Sequence, residues 1–208
     1  MKSIDYRNDP LFLRNMFFMT GEFDLPFLYR QSVSLDNLDF ISFDHARNPT
    51  NVESAAKKTV HFFIDDYKFD EVWNNPDQYV VKLAEYFQVL TPDFSLYTNM
   101  PTPLQLMSVF KSRWCGAFWQ RNGLRVIPTV NWGKPSSFAF CFDGIEEGAV
   151  VAVSTVGTSD FREEFMEGYR AMCEQIHPET VVNYGTVYDE MLELAPVVDV
   201  PYIHWSES

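Results

Sequence analysis

The feature that most limits what this chain can fold into is a strand–loop–helix unit at residues 149–176, which other stretches repeat. Ala149, Val150, Val151, Ala152 and Val153 form an apolar run rich in β-branched residues, the pattern of a strand buried on both faces. Residues 154–159 are small and polar and suit a tight connection. Asp160 reads as a helix cap with Glu163 as its capping-box partner. Phe161, Phe165, Tyr169, Met172 and Ile176 then recur at helical spacing, with Arg162, Glu163, Glu167 and Arg170 off that stripe, and Pro178 stops the helix.

The same alternation predicts strands at 38–43, 60–64, 88–91, 124–130 and 180–183. Asn75-Pro76 with Gln78, and Thr102-Pro103 with Gln105, repeat a cap–proline–glutamine start. Leu83, Tyr86 and Phe87 face inward from the first of these helices. Met107, Phe110, Trp114 and Phe118 stripe the second, which Gly123 terminates. Residues 48–58 read as a polar loop and 138–145 as a truncated helix. Residues 1–36 are an aromatic-rich segment packed on the sheet, 188–208 an acidic C-terminal tail, and 191–208 an edge segment or a strip laid on the surface. The expectation is a single α/β domain over 1–208, a mostly parallel sheet of about six strands with right-handed crossover helices. Two arrangements fit, a partial TIM-barrel-like sheet and an open doubly wound one. No G-x-G-x-x-G follows the first strand and no phosphate-loop motif follows any strand, which favours the partial barrel.

Hydrophobic residues at 46% and aromatic residues at 16% specify a packed globule rather than a disordered chain. No run approaches the ~20 apolar residues of a membrane helix, and residues 1–10 are too polar for a secretory leader. Cys115, Cys141 and Cys173 are far apart and form no metal or disulfide pattern, so a cytoplasmic setting with reduced thiols is expected. The net charge is −13, and it is unevenly spread. Residues 141–208 hold 14 acids against Arg162 and Arg170 alone. Between Asp93 and Asp143 there is no acid, whereas Lys111, Arg113, Arg121, Arg125 and Lys134 fall there. Global acidity argues against a general nucleic-acid binder and leaves room for one phosphate-bearing ligand held by the basic middle.

In parallel α/β folds, ligands gather at the carboxyl ends of the strands. Those ends carry Asp44 and His45, Asp65 and Asp66, Asp93 and Ser95, Asn131 and Trp132, Ser154 and Thr155, and Tyr184. Asp65, Asp66 and Asp93 are the catalytic candidates. Two carboxylates at adjacent strand ends can act as acid and base once burial separates them, and Asp65 with Asp93 would be the ligands of a divalent cation. Successive strand residues face opposite ways, so one of Asp65 and Asp66 reaches a shared site more easily than the other. Ser95, Asn131, Trp132, Ser154, Thr155 and Tyr184 are the ligand-binding candidates. The 154–159 loop before a helix also has the makings of an anion site, although ordinary strand-to-helix turn chemistry with an Asp160 cap explains it better. Arg113, Trp114, Trp119, Arg121 and Arg125 supply cations and rings for a base or sugar, with Trp114 on the core stripe. His45, His61, His177 and His204 form no spaced metal pair.

Several blocks resemble a bacterial and phage family known as domain of unknown function 4417. They are Val60-His61-Phe62-Phe63-Ile64-Asp65-Asp66-Tyr67-Lys68-Phe69, Leu90-Thr91-Pro92-Asp93-Phe94-Ser95-Leu96-Tyr97 and Arg113-Trp114-Cys115-Gly116-Ala117-Phe118-Trp119-Gln120. Val126 to Trp132, Phe140 to Ile145, Val151 to Gly157 and Asn183-Tyr184-Gly185 complete the set. The resemblance implies a bacterial intracellular setting, often a phage or mobile element, and implies no reaction. Two functions are therefore expected from the residues. One is a small-molecule-binding protein or hydrolase acting on a phosphate- or sugar-bearing ligand at the strand ends. The other is a non-enzymatic protein whose acidic final third binds and inhibits a host protein, with imitation of nucleic acid as one route.

Overall fold

Two short helices, α1 (Ser3–Arg7) and α2 (Pro10–Leu13), lead into an antiparallel pair, β1 (Met19–Thr20) and β2 (Leu25–Pro26). A computed structural model describes residues 3–36, 38–47 and 52–202. From β3 (Phe40–Ser42) onward, strands and helices alternate. The helices α3 (Phe43–Ala46) and α4 (Val52–Ala55) precede β4 (Thr59–His61), and α5 (Glu71–Asn74) and α6 (Pro76–Leu83) precede β5 (Gln88–Leu90). The long α7 (Thr102–Arg121) leads to β6 (Val126–Ile127), and α8 (Phe138–Cys141) to β7 (Val150–Ser154). Then α9 (Arg162–Ile176), β8 (Thr180–Tyr184), α10 (Asp189–Leu192) and β9 (Val197–Val200) complete the chain. Of the loop expected at 48–58, residues 48–51 lie outside the described residues, as do 203–208 of the C-terminal segment and His204 with them.

The α/β class and the parallel pairing hold, but the single sheet of about six strands does not. The strands form two parallel sheets, β3-β4-β5-β6 and β7-β8-β9. Pro128 accounts for the interruption, because it has no N–H to give the ladder and β6 stops before it. One parallel bridge, Thr129 to Ala152, spans the gap, with Ala152 N–H donating to the Pro128 carbonyl and Val130 N–H to the Ala152 carbonyl, both at 2.8 Å. Among the described residues neither sheet closes on itself. Val197–Val200 is a parallel edge strand, and its one buried residue, Val200, explains why it alternates so weakly in sequence.

Alternation along the strands divides the core. Val60, Val89 and Val126 face helices α6 and α7, while Val151, Val153 and Val181 face α8 and α9. The opposite faces of both sheets share a third cluster, in which Phe40, Leu90, Ile127, Ala152, Val182 and Tyr184 meet. Val33, Leu35 and Leu38 pack against this cluster. Ser34 exchanges hydrogen bonds with the side chain of Gln88, the first residue of β5, so this segment crosses the amino ends of the strands. The carboxyl ends are left to the loops.

The expected caps form differently. Asn75 makes no side-chain cap bond, and Phe161 rather than Asp160 stands at the cap of α9. Asp160 instead lies in a 3₁₀ turn, Ser159–Phe161, that precedes α9. Thr102 is already helical, and Gln105 donates to the Met100 carbonyl (2.7 Å) rather than closing a capping box. Gly116 permits the close seating of α7, since a Cβ there would lie 2.6 Å from Thr91 Cγ2 and 2.8 Å from Leu28 Cδ2. No helix among the described residues is long and apolar enough to cross a membrane.

Candidate functional site

Two threonines set the geometry of the rim. Thr129 N–H donates to Thr91 Oγ1 (2.8 Å), and Thr129 Oγ1 donates to the Thr91 carbonyl (2.7 Å), tying the ends of β5 and β6 together. Two residues beyond each threonine come Asp93 and Asn131, which the tie makes neighbours. Asn131 Nδ2 donates to Asp93 Oδ1 and to the Phe94 carbonyl, each at 2.8 Å. From the end of β4, Asp66 accepts the Ser95 backbone N–H (3.2 Å) and the Ser95 hydroxyl (2.8 Å). Asp93 keeps some surface toward solvent while its carboxyl is sunk in protein. Burial pushes that carboxyl up to about 7, the charge of Asp66 adds to the rise, and the Asn131 bond opposes it. Of the three aspartates read as catalytic, the structure therefore brings together Asp66 and Asp93.

Asp65 points elsewhere. It is exposed, and its carboxylate lies 3.9 Å from Lys68 Nζ, which is equally distant from Asp44. Among the described residues no three His, Cys, Asp or Glu side chains gather into a cation cage. Ser154 Oγ donates to the Tyr184 carbonyl and accepts the Val156 N–H, both at 3.2 Å. Thr155 is buried and accepts from Asn183 Nδ2 (3.3 Å). Tyr184 is buried in the shared cluster, its ring 5.3 Å from Phe63 and 4.8 Å from His61. His61 is held neutral there, burial pulling it down to about 4. In the 154–159 loop, Thr158 Oγ1 already donates to the Thr155 carbonyl (2.9 Å), and Glu163 and Glu164 occupy the first turn of α9. Both features work against a bound anion.

Two clefts open on this rim. The larger, about 800 Å³, is bordered by Asp65, Asp66, Asp93, Ser95, Ser154 and three partly or fully exposed tyrosines, Tyr67, Tyr97 and Tyr202. The smaller, about 160 Å³, is bordered by Asp93, Asn131, Trp132, Ser154, Thr158 and Phe165. Asp93 and Ser154 belong to both. Sequence reasoning missed the tyrosines, although Tyr67 follows Asp65-Asp66 directly and its aromatic ring is unusually exposed at 75%. Trp114 is wholly buried, as its place on the core stripe implied, and so is Trp119, which therefore offers no face to a ligand. Arg113 is buried as well, and it donates to the carbonyls of Asp143, Thr129 and Cys141.

The sequence pattern of the family described as a domain of unknown function, DUF4417, matches residues 17–201. The chain belongs to this family. All the rim residues except Tyr202 fall inside the matched span. The chain is also similar to the Gene 1 protein of Mycobacterium phage L5, at 37% identity over 201 residues, covering 93% of this chain and 85% of that one. It is 35% identical over 197 residues to the Gene 1 protein of Mycobacterium phage D29, covering 93% and 72%. No solved structure matches. The relatives are phage proteins, as the resemblance of the sequence blocks implied.

Proposed function

We propose that this DUF4417 protein is a hydrolase, or a binding protein derived from one, for an uncharged sugar-bearing ligand held at the carboxyl rim. The observation that carries the reading is the Asp93–Asp66 pair, one carboxyl raised by burial and the other accepting hydrogen bonds, where two clefts meet. Pairs of carboxyls whose environments push them apart divide the acid and base roles between them. We infer further that the two sheets are arcs of one incomplete TIM-barrel-like wall. Their sequential strand order, the Thr129–Ala152 bridge and the approach of the Phe40 ring to Tyr184 (5.8 Å) support this. In such walls ligands bind at the carboxyl rim.

In this reading Asp93 protonates the leaving atom of a glycosidic bond. Asn131 occupies Asp93 Oδ1, so Oδ2 carries the proton. Asp66, oriented by Ser95, takes a proton from the attacking water, whose oxygen joins the sugar carbon. The proton left on Asp66 returns through solvent to Asp93, and one water has been consumed. Charge selects the sugar over the phosphate. Asp65, Asp66, Asp70 and Asp93 border the larger cleft; Lys68 lies 3.9 Å from Asp65 and Lys111 3.9 Å from Asp70, so with Asp93 protonated a phosphate would meet the remaining negative charge of Asp66.

A thermal-shift panel of uncharged glycosides and nucleosides against their phosphate esters tests this. An uncharged ligand at 100 times its dissociation constant adds ~2.7 kcal/mol of stability, and Asp66→Asn should lose most of that shift. Stabilisation by the phosphate esters alone would sink the reading.

The host-protein reading has one observation in its favour. Glu163, Glu167 and Glu174 are exposed on α9 at spacings that place them on one side of it. If that side docks on a basic partner, a bacterial protein captured at low salt should be lost when the three are reversed to lysine. A triple variant that captures the same protein undiminished removes this reading.

A further inference from the structure

The smaller pocket differs in chemistry from the cleft it joins. The cleft is acidic and open, whereas the pocket is walled by the Trp132 indole, the Phe165 ring and Val130, with polar groups confined to Asp93, Asn131, Ser154 and Thr158. The two rings stand 5.1 Å apart at 39°. Trp132 reaches this position because α9 carries no side chain where the indole lies. A Cβ added at Gly168 would fall 2.2 Å from Trp132 Nε1 and 2.3 Å from Cδ1. The glycine lets the indole sink against the helix and keeps the pocket open beside it. Since Gly168 is mid-helix, where alanine is the better helix former, its use there is a packing choice.

We propose that this pocket is a subsite for one flat, uncharged heterocycle, a nucleobase, whose sugar lies in the larger cleft, so that the ligand class is an uncharged nucleoside. The inference rests on the sugar-site reading above and adds the identity of the leaving group. Three features carry it. Aromatic and apolar walls with a few polar groups at the edge are how proteins hold a base outside a nucleic-acid stack. The volume admits a single ring system. Asp93 and Ser154 line both spaces, so the bond joining sugar to base lies beside Asp93. Cleavage then breaks the C1′–N bond. The proton of Asp93 goes to the ring nitrogen, the oxygen of water goes to C1′, and the second proton of water goes to Asp66.

The test measures binding to the full chain by calorimetry, with adenosine, guanosine, cytidine and uridine as probes. Methyl riboside serves as the sugar control and adenosine 5′-monophosphate as the anionic control. At least one nucleoside should bind about tenfold or more tighter than methyl riboside, the worth of one base–aromatic stack. Trp132→Ala should remove that advantage and leave methyl riboside unchanged, and Trp132→Phe should restore part of it. Gly168→Ala, by pushing the indole out, should act as Trp132→Ala does; circular dichroism checks that each variant is folded. If methyl riboside binds as tightly as every nucleoside, or Trp132→Ala leaves nucleoside affinity intact, the subsite proposal is overturned and the sugar site survives. If the wild-type chain binds neither methyl riboside nor any nucleoside, the sugar-site reading falls and takes the proposal with it.

Discussion

Replacing Arg113 by methionine is expected to lower the unfolding free energy by about 3–5 kcal/mol, the range for removing one partner of a buried charged network. The guanidinium is 2% exposed. Its Nε donates to the Asp143 carbonyl (3.0 Å), Nη1 to that of Thr129 (3.1 Å) and Nη2 to that of Cys141 (2.7 Å). Burial pulls the group down to about 10 and outweighs the opposing charge of Asp143, so the charge itself is held at a cost. Methionine removes that cost and keeps most of the stem volume. It also leaves three buried carbonyls without donors, at roughly 1–3 kcal/mol each, and this larger loss decides the sign. Urea denaturation should show a lower midpoint at unchanged slope. Because Thr129 anchors the segment that carries Asn131, any ligand binding at the rim should weaken as well. A change within about 0.5 kcal/mol, the range of neutral surface substitutions, would mean the carbonyls find other donors and the network is dispensable.

How much of this was legible in the sequence depends on how far apart the interacting residues lie. Apolar runs such as Val150–Val153 announced the strands, and their alternation with helices announced parallel pairing, because both are local patterns. The break into two sheets was not legible, since it arises from Pro128 meeting Ala152 across a long connection. Caps failed for a related reason. Asn75 does stand at the N-cap of α6 with Pro76 after it, but without a side-chain cap bond, and the approach through Pro101 puts Thr102 inside α7 instead of at its end. At the site, the polar strand ends were visible, and the partnership of Asp66 with Ser95 and of Asp93 with Asn131 was not. Nothing near Asp65-Asp66 in sequence says which carboxylate turns inward. The Thr91–Thr129 tie and the fit of Trp132 to Gly168 are contacts between distant segments. A mid-helix glycine was the visible trace of the second, and its partner could be found only in three dimensions.

Converting Asp93 to asparagine should make the protein more stable and less active, and the two effects come from the same carboxyl. Burial and Asp66 raise it from 3.8 to about 7 in the folded chain. Below about pH 4 both states hold the proton and the group contributes no difference. Between about 4 and 7 the unfolded chain has released its proton while the folded chain retains it. The Asp93 contribution to stability then falls as pH rises, at up to ~1.4 kcal/mol per pH unit for one proton, while His61, lowered by burial to about 4, contributes the opposite slope over the lower part of this window. The accessible edge of the residue tempers the total, which we place on the order of 2–4 kcal/mol at pH 8. Asp93→Asn keeps an Oδ1 acceptor for Asn131 and removes the charge, so its stability should gain on that of wild type across this window and exceed it at pH 8. Under the proposed hydrolase reading, its rate should fall by ~10²–10⁴, the usual worth of a general acid, while the wild-type rate declines as pH passes about 7. Parallel pH–stability curves for the two proteins would show that the carboxyl is not strained. A rate untouched by the substitution would remove Asp93 from the chemistry even if the strain is real. In the proposed reading, the destabilising carboxyl kept where asparagine would fit exchanges stability for a proton held near neutral pH, the trade an acid catalyst requires.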